Sequence, residues 1–539
     1  MWKKVREVVM NEEKTLSLYE THIKDNFHIY GLASILYGIL YVFCMFKNDA
    51  GISYLLFAAG TIGYFVFVFT KLEMKMKKES WFYIISILIL GVSTFCTDDG
   101  RIIFFNKLGV FLLTISMVLG IVYDTKKWNL GKYLGSILRV SVSSMGEIAK
   151  PFSDLVWFCK NKLGQKHSKY LYVLIGFGIS IPVVAVVFTL LTSADAVFRN
   201  VANQMFAKVS VGDWFLMMLM FSFMALLSYC LVANVSKKEI KEEVNEVKQW
   251  DSLIAIPVSL ILSLLYLYFS VIQIVYLFMG NMQLPVGYTY AEYAREGFFQ
   301  LLAVSIMNLV LVLMGLYYFK SSKVLKCILS VMSLCTFIMI ASSGMRMIIY
   351  IQYYYLTFLR VLVLFSLVVL AIIFLGVLAY IMKDSFPLFR YCLVVVTCLY
   401  IVFSFSHPDY WIAKVNLEGA KESRSEFFKG AAYEDYYLLE VLSADAASVM
   451  LEWIVEEGYG LEIYYEKGMT FEDYLALNEI VIPEEKETEE EIMRYQKCVC
   501  VYTYLTNLSD DCLEQSFRKF NLSRFVADTE VLFQITKGM

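Results

Sequence analysis

Eleven runs of mostly apolar residues recur along the chain, at 29–46, 51–70, 81–97, 107–123, 170–192, 213–235, 252–280, 299–319, 325–345, 361–382 and 391–406. A helix needs about 20 such residues to cross a bilayer. The pattern therefore predicts an all-α, polytopic transmembrane helical bundle of about 11 spans. The run 391–406 is short, and 252–280 is long enough to tilt or to extend beyond the lipid. Residues 1–28 are charged, and the first run begins too far in for a cleaved signal peptide, so that run is expected to stay as a span.

Two segments break the pattern. In 124–169, Leu134, Ile137, Leu138, Met145 and Ile148 recur near helical spacing among Lys132, Arg139 and Lys150, and Phe152, Leu155, Val156, Cys159 and Leu163 follow Pro151. This predicts one or two amphipathic helices, either lying on the inner leaflet near anionic lipid or packed as a hairpin under the bundle. Residues 417–539 lose the long apolar runs and show helix signals instead. Ser443 is placed to cap a helix stopped near Gly458. Thr488 and Glu491 have capping-box spacing, and Ser509 with Asp510 and Asp511 suits another helix start.

Composition gives these runs their meaning. The chain has 539 residues, of which 59% are hydrophobic and 18% charged, against roughly 45–50% apolar and ~25% charged in soluble domains. That excludes a disordered chain, a nucleic-acid binder and an ordinary cytosolic enzyme, and makes lipid the main partner. The net charge of -3 conceals an asymmetry: residues 417–539 hold 26 of the 50 acidic and 11 of the 47 basic side chains. Lys and Arg also divide unevenly between alternate loops. The start, 71–80, 124–169, 236–250, 320–326 and 383–390 carry 27, and the other set carries 8. The positive-inside rule then predicts a cytoplasmic segment 1–28, a bundle 29–416 with the cytoplasmic loop 124–169, and an acidic, mostly helical extracytoplasmic domain 417–539. An anionic lipid or a membrane-protein partner is expected at 124–169.

Polar residues in or beside the spans supply the candidate chemistry. Asp195 follows the fifth run, Gln273 lies within the seventh, and Glu292 and Arg295 precede the eighth. Asn308 is inside the eighth, Arg346, Tyr350 and Arg360 lie between the ninth and tenth, and Asp409 follows the eleventh. Ionisable groups at such depth usually pair or line a cavity. Asp195, Glu292, Glu296 and Asp409 are placed to balance Arg295, Arg346 and Arg360. The cluster reads either as a network stapling helix ends or as an outward polar pocket roofed by the tail, where arginines suit a phosphate or carboxylate.

No P-loop or H-E-x-x-H motif is present, the four His are scattered, and no cofactor or metal site is expected. Cys498 and Cys500 are two apart, the wrong spacing for a C-x-x-C pair, and Cys512 is placed to bridge to either. Asp98 and Asp99, in a short outer loop, offer acid or base chemistry on a lipid-linked substrate, against the plainer reading of solvated loop acids.

The order Leu190-Leu191-Thr192-Ser193-Ala194-Asp195-Ala196-Val197-Phe198, Ile272-Gln273, and Tyr290-Ala291-Glu292-Tyr293-Ala294-Arg295-Glu296-Gly297-Phe298 resembles a family of bacterial multi-pass membrane proteins, domain of unknown function forty-one seventy-three. Arg346-Met347 with Tyr350, Leu356-Thr357 with Leu359-Arg360, and Pro408-Asp409 with Asn416 continue the pattern. Leu442-Ser443-Ala444-Asp445-Ala446 and Phe520-Asn521-Leu522-Ser523-Arg524 extend it into the tail. The resemblance runs from about Tyr170 to Arg524 and departs at Tyr355, where Gly is expected before Leu356-Thr357. It implies a bacterial plasma-membrane protein and supplies no activity. The leading expectation is binding, sensing or scaffolding at the outer face without a covalent reaction. The rivals are a secondary transporter working around Gln273, Asn308 and Asp195, and a membrane transferase using Asp98, Asp99 or Asp195.

Overall fold

The structure, a computed structural model, describes residues 18–48, 50–125, 128–163, scattered positions between 176 and 199, 211–240, 250–275, 290–418, 437–458, 489–512 and 517–538. In chain order the main helices are α1 (Phe27–Met45), α2 (Ile52–Lys71), α3 (Ser80–Cys96), α4 (Gly100–Val122), α5 (Leu130–Gly146), α6 (Lys150–Phe158), α7 (Val211–Ser236) and α8 (Ser252–Gln273). They continue with α9 (Tyr290–Tyr318), α10 (Lys323–Tyr354), α11 (Phe358–Met382), α12 (Leu388–Ser404), α13 (Pro408–Glu418), α14 (Ala447–Glu456), α15 (Glu489–Cys512) and α16 (Leu522–Gly538). The one β pairing among the described residues is an isolated bridge between Trp250 and Phe319.

Among the described residues, eight helices (α1, α2, α4 and α7 to α11) are long and apolar enough to cross a membrane. The shorter α3 is apolar as well, and α12 and α13 form a broken pair bent by 55°. Helices therefore stand at ten of the eleven expected runs; the other, 170–192, falls largely outside the described residues. The chain is an all-α, multi-pass membrane protein. Leu253, Ile261, Leu264 and Tyr268 on α8 are exposed, as lipid-facing side chains should be.

The chain forms two compact units, the first from residues 1–95, 103–244 and 516–520, the second from 96–102, 245–515 and 521–539. In the first unit α1 packs on α2 and α7. Lipid is as apolar as leucine, so close packing and neutral hydrogen bonds must hold such helices together. Ser34 bonds the Tyr64 hydroxyl at 2.9 Å, Tyr37 bonds Thr61 at 2.9 Å, and the Tyr37 and Tyr64 rings stack at 4.7 Å. Gly51, with φ of +101°, opens α2; a Cβ there would lie 2.7 Å from the Phe520 carbonyl oxygen. That carbonyl accepts from the Ile52 N–H at 2.9 Å, and the Arg518 carbonyl accepts from Asn48 at 3.1 Å and Ser53 at 2.9 Å. Asn129 caps α5 by accepting from the Lys132 N–H at 2.9 Å. Both expected amphipathic helices rest on α7: Asn234 donates to Ser143 at 2.7 Å, and the Tyr229 hydroxyl donates to Asp154 at 2.9 Å.

In the second unit α10 lies against α8, α9 and α11. Tyr266, Leu329, Met332, Met339 and Val377 fill one core, and Phe298, Met347, Leu367 and Phe374 a second. Asp251 caps α8 through the Leu253 N–H at 3.0 Å. This unit carries chain from both sides of residue 416.

The tail helices differ in detail from expectation. Ser443 precedes a short 3₁₀ turn and α14, without a side-chain cap, and Gly458 follows at φ of +88°. Thr488 lies outside the described residues. Ser509, Asp510 and Asp511 start no new helix: they form the last turn of α15, whose run from Tyr495 carries straight through them.

Candidate functional site

Four short segments of the second unit meet in a charged, largely buried cluster: the turn 97–101 between α3 and α4, the break 407–409 between α12 and α13, 443–445, and 521–524 at the start of α16. Each is a helix end, where free backbone N–H groups favour acceptors such as aspartate. Asp99 accepts from the Arg101 N–H at 2.9 Å and from its Nε and Nη2 at 2.8 and 3.0 Å. Arg101 Nη2 also donates to Asp409, and the guanidinium lies 4.1 Å from the Phe358 ring centroid. Asp409, itself buried, accepts from the Ser443 N–H at 2.9 Å.

Asp445 is the hub. Its Oδ1 accepts from the Asp98 N–H at 3.0 Å and from the Ser523 hydroxyl; its Oδ2 accepts from the Thr97 hydroxyl at 2.5 Å and lies 3.0 Å from His407 Nδ1. Those four partners match the roughly four lone-pair positions of an ionised carboxylate. His407 holds φ of +45°, a left-handed conformation that turns the chain between α12 and α13 and that His tolerates better than most residues. Asp98 accepts from Arg524 Nε at 2.7 Å, and Asn521 donates to the Thr97 carbonyl at 2.8 Å while accepting from the Ser523 N–H at 2.9 Å.

The electrostatics follow from these pairings. The hydrogen bond and charge of Asp445 raise the His407 pKa against the effect of its burial. Burial alone would push Asp445 up, but His407, Ser523 and Thr97 outweigh it and hold it below the usual carboxylate range. Burial pushes Asp98 up, and Arg524 offsets only part of that. The pair His407–Asp445 is therefore built to be charged.

The residues expected to form one site divide into several places. Asp195 belongs to the first unit, is exposed, and caps the turn after it through the Val197 and Phe198 N–H groups at 2.6 and 2.8 Å. Gln273 and Asn308 are buried in a neutral seam between α8, α9 and α10: Gln273 accepts from Ser342 at 2.6 Å, and Asn308 donates to Thr336 at 3.0 Å. The Asn308 Oδ1 is buried with no partner among the described residues. Arg346 is buried against Gly297, where a Cβ would lie 1.8 Å from its Nη1.

Arg360 lies 4.4 Å from the Tyr350 ring centroid and donates to the Tyr355 carbonyl. The side chains of Glu292, Arg295 and Glu296 lie outside the described residues. Of the predicted residues whose side chains are described, Asp409 joins the charged cluster, where it pairs with Arg101.

Asp98 and Asp99 are not solvated acids: Asp99 is 1% exposed, and both are paired with arginine. Their signal was the string Asp98-Asp99-Gly100-Arg101 in a turn too short to hold them far from its own arginine. Cys500 is an unbridged buried thiol, and the Cys512 side chain lies outside the described residues. No group of three or more His, Cys, Asp or Glu suited to a metal ion occurs among the described residues.

A family model described as Domain of unknown function (DUF4153) matches residues 84–453. The expected multi-pass membrane family of unknown function is thus found; its designation is DUF4153, and its match starts before Tyr170 and ends before Asn521. No curated protein and no solved structure matches the chain.

Proposed function

On the premise that the chain belongs to the DUF4153 family, for which no function is described, we propose that it is a bacterial plasma-membrane protein that binds or senses at its outer face without covalent chemistry, the charged cluster being the latch that seats its carboxyl-terminal helices. The observation that carries this reading is the closure of Asp445 by four residues from three other segments, Thr97 and Asp98, His407, and Ser523. A catalytic carboxylate must reach its substrate; Asp98, Asp99, Asp409 and Asp445 are instead each engaged by an arginine or histidine. A buried ionic network of this kind fixes which segments meet.

The amino end is cytoplasmic and the cluster faces outward. Basic residues in alternate loops favour that sense. Turn parity favours eleven crossings: with eleven, residues 97–99, 355–357 and 407–409 share one side, and with ten the first would part from the others. Arg101 touches both Phe358 and Asp409, and Asn416 bonds the Leu356 N–H and C=O at 2.7 and 2.9 Å.

A second reading, transport through the seam, draws on the orphaned Asn308 Oδ1. One experiment separates the two. A carboxyl-terminal epitope is probed with antibody on intact spheroplasts, and the reconstituted protein is assayed for binding of cell-envelope fragments and for solute flux. We expect the epitope to be reached without permeabilisation, and Asp445→Asn to abolish envelope binding. An epitope reached only after permeabilisation overturns the orientation. Flux that Asn308→Leu abolishes and Asp445→Asn leaves intact transfers the function to the seam.

A further inference from the structure

Helix α5 of the first unit presents three different faces. Tyr133, Ile137, Val140 and Ser144 are buried, with the α7 side chain of Asn234 at Ser143 and Ser144. Leu134, Leu138, Val142 and Met145 stand 50–68% exposed, and spacings of three and four put them on one stripe. On the remaining face, Lys132, Gly135, Ser136 and Arg139 line an open cleft of about 470 Å³, closed on its far side by Glu239 and Ile240. A Cβ at Gly135 would meet nothing within 4 Å, so the cleft reaches the backbone there.

An apolar stripe and a cationic face on one helix, with its third face on the bundle, is the arrangement of a helix lying in the membrane interface. Buried aromatic residues brace the start of this helix. The Trp128 ring, just ahead of α5, lies 5.9 Å from that of Tyr123 and 6.1 Å from that of Tyr133, whose hydroxyl is 3.2 Å from the Tyr83 hydroxyl.

We propose that this cleft binds the phosphate headgroup of an anionic phospholipid, whose chains run over the Leu134–Leu138–Val142–Met145 stripe. Charge complementarity chooses this occupant: Arg139 is held only loosely by Glu239, at 3.7 Å with both side chains more than half exposed, and Lys132 stands 5.3 Å over the Trp128 ring at the cleft's edge. The Ser136 hydroxyl, which lines the cleft with the two cations, adds a hydrogen-bond donor. The inference is independent of the outer-face reading, since anionic lipid is available on either side.

The test is native mass spectrometry of the full chain in detergent, titrated with phosphatidylglycerol, phosphatidylcholine or inorganic phosphate. Two basic groups near an anionic surface contribute about tenfold or more in affinity, so the parent should prefer phosphatidylglycerol by about that factor. Lys132→Gln with Arg139→Gln should remove the preference without lowering the melting temperature, and Lys132→Arg with Arg139→Lys should keep it. Leu138→Gln with Val142→Gln should weaken both lipids. Equal retention of the two lipids by the parent overturns the proposal. So does an unchanged preference in the glutamine variant, its loss in the charge-keeping variant, or displacement of the lipid by inorganic phosphate at equal concentration.

Discussion

The charged cluster around Asp445 and the seam around Asn308 are both buried polar regions of the second unit, and they are built from different chemistry. The seam joins three consecutive helices with neutral groups, Gln273 to Ser342 and Asn308 to Thr336. The cluster joins segments as distant in sequence as Asp98 and Arg524, 426 positions apart, with ions. Neighbouring helices already share a lipid-excluded packing surface, so a neutral hydrogen bond suffices and an ion would bring only desolvation cost. Segments meeting across hundreds of residues lack that help, and helix ends offer N–H groups that make a buried carboxylate tolerable. In the second unit, ion pairs stand where distant segments meet, whereas the first unit joins Asn48 and Ser53 to the Arg518 carbonyl by neutral bonds.

The largest test of this contrast is Asp445→Ala. It leaves His407, Thr97, Ser523 and the Asp98 N–H without their acceptor. We expect a loss of about 2–3 kcal/mol in reversible unfolding in detergent, toward the lower end for buried pairs because His407 keeps partial exposure. A loss as small as that of the seam variant below would break the comparison.

The next effect is pH dependence. His407 has a raised pKa in the fold, so its contribution is fully present below its unfolded value of about 6.5 and is lost as pH rises through the folded value. Asp445 is depressed, so its contribution is present above about 3.8 and is lost as pH falls through its folded value. The latch is therefore strongest between those limits. Asp98 is raised and runs the other way, favouring the fold in acid. Unfolding followed from pH 5 to 9 should show stability falling on the alkaline side, and His407→Gln should flatten that fall.

The smallest effect is expected for Asn308→Ala in the seam. Polar contacts between membrane helices average about 0.6 kcal/mol, and Asn308 already carries one unsatisfied oxygen. A loss of several kcal/mol in the same assay would show that the seam, too, selects partners.

The helices themselves were readable because span length and apolar composition are local properties, and ten runs appear where the pattern put them. The cluster was hidden for the opposite reason. Nothing near His407 announces Asp445, and Ser-Ala-Asp-Ala occurs twice: Asp445 is a buried hub, whereas Asp195 is an exposed cap. Composition alone made Asp98 and Asp99 look like solvated acids: Arg101 stood two residues from Asp99, but the Asp98 partner Arg524 and the burial of both acids depend on tertiary structure. Tyr355 shows a finer limit. The expected glycine marked a real backbone demand, φ of +67°; Tyr meets it at a cost of about 1–3 kcal/mol, with Arg360 bonded to its carbonyl.

The turn 517–520 gives the early helices a late requirement. Asn48, Ile52 and Ser53 leave the ribosome hundreds of residues before Arg518 and Phe520, whose carbonyls they bond. The α1–α2 hairpin can insert during translation, but its corner stays unfinished until residues 517–520 have been made. A stop before residue 517 therefore leaves its mark on the α1–α2 pair.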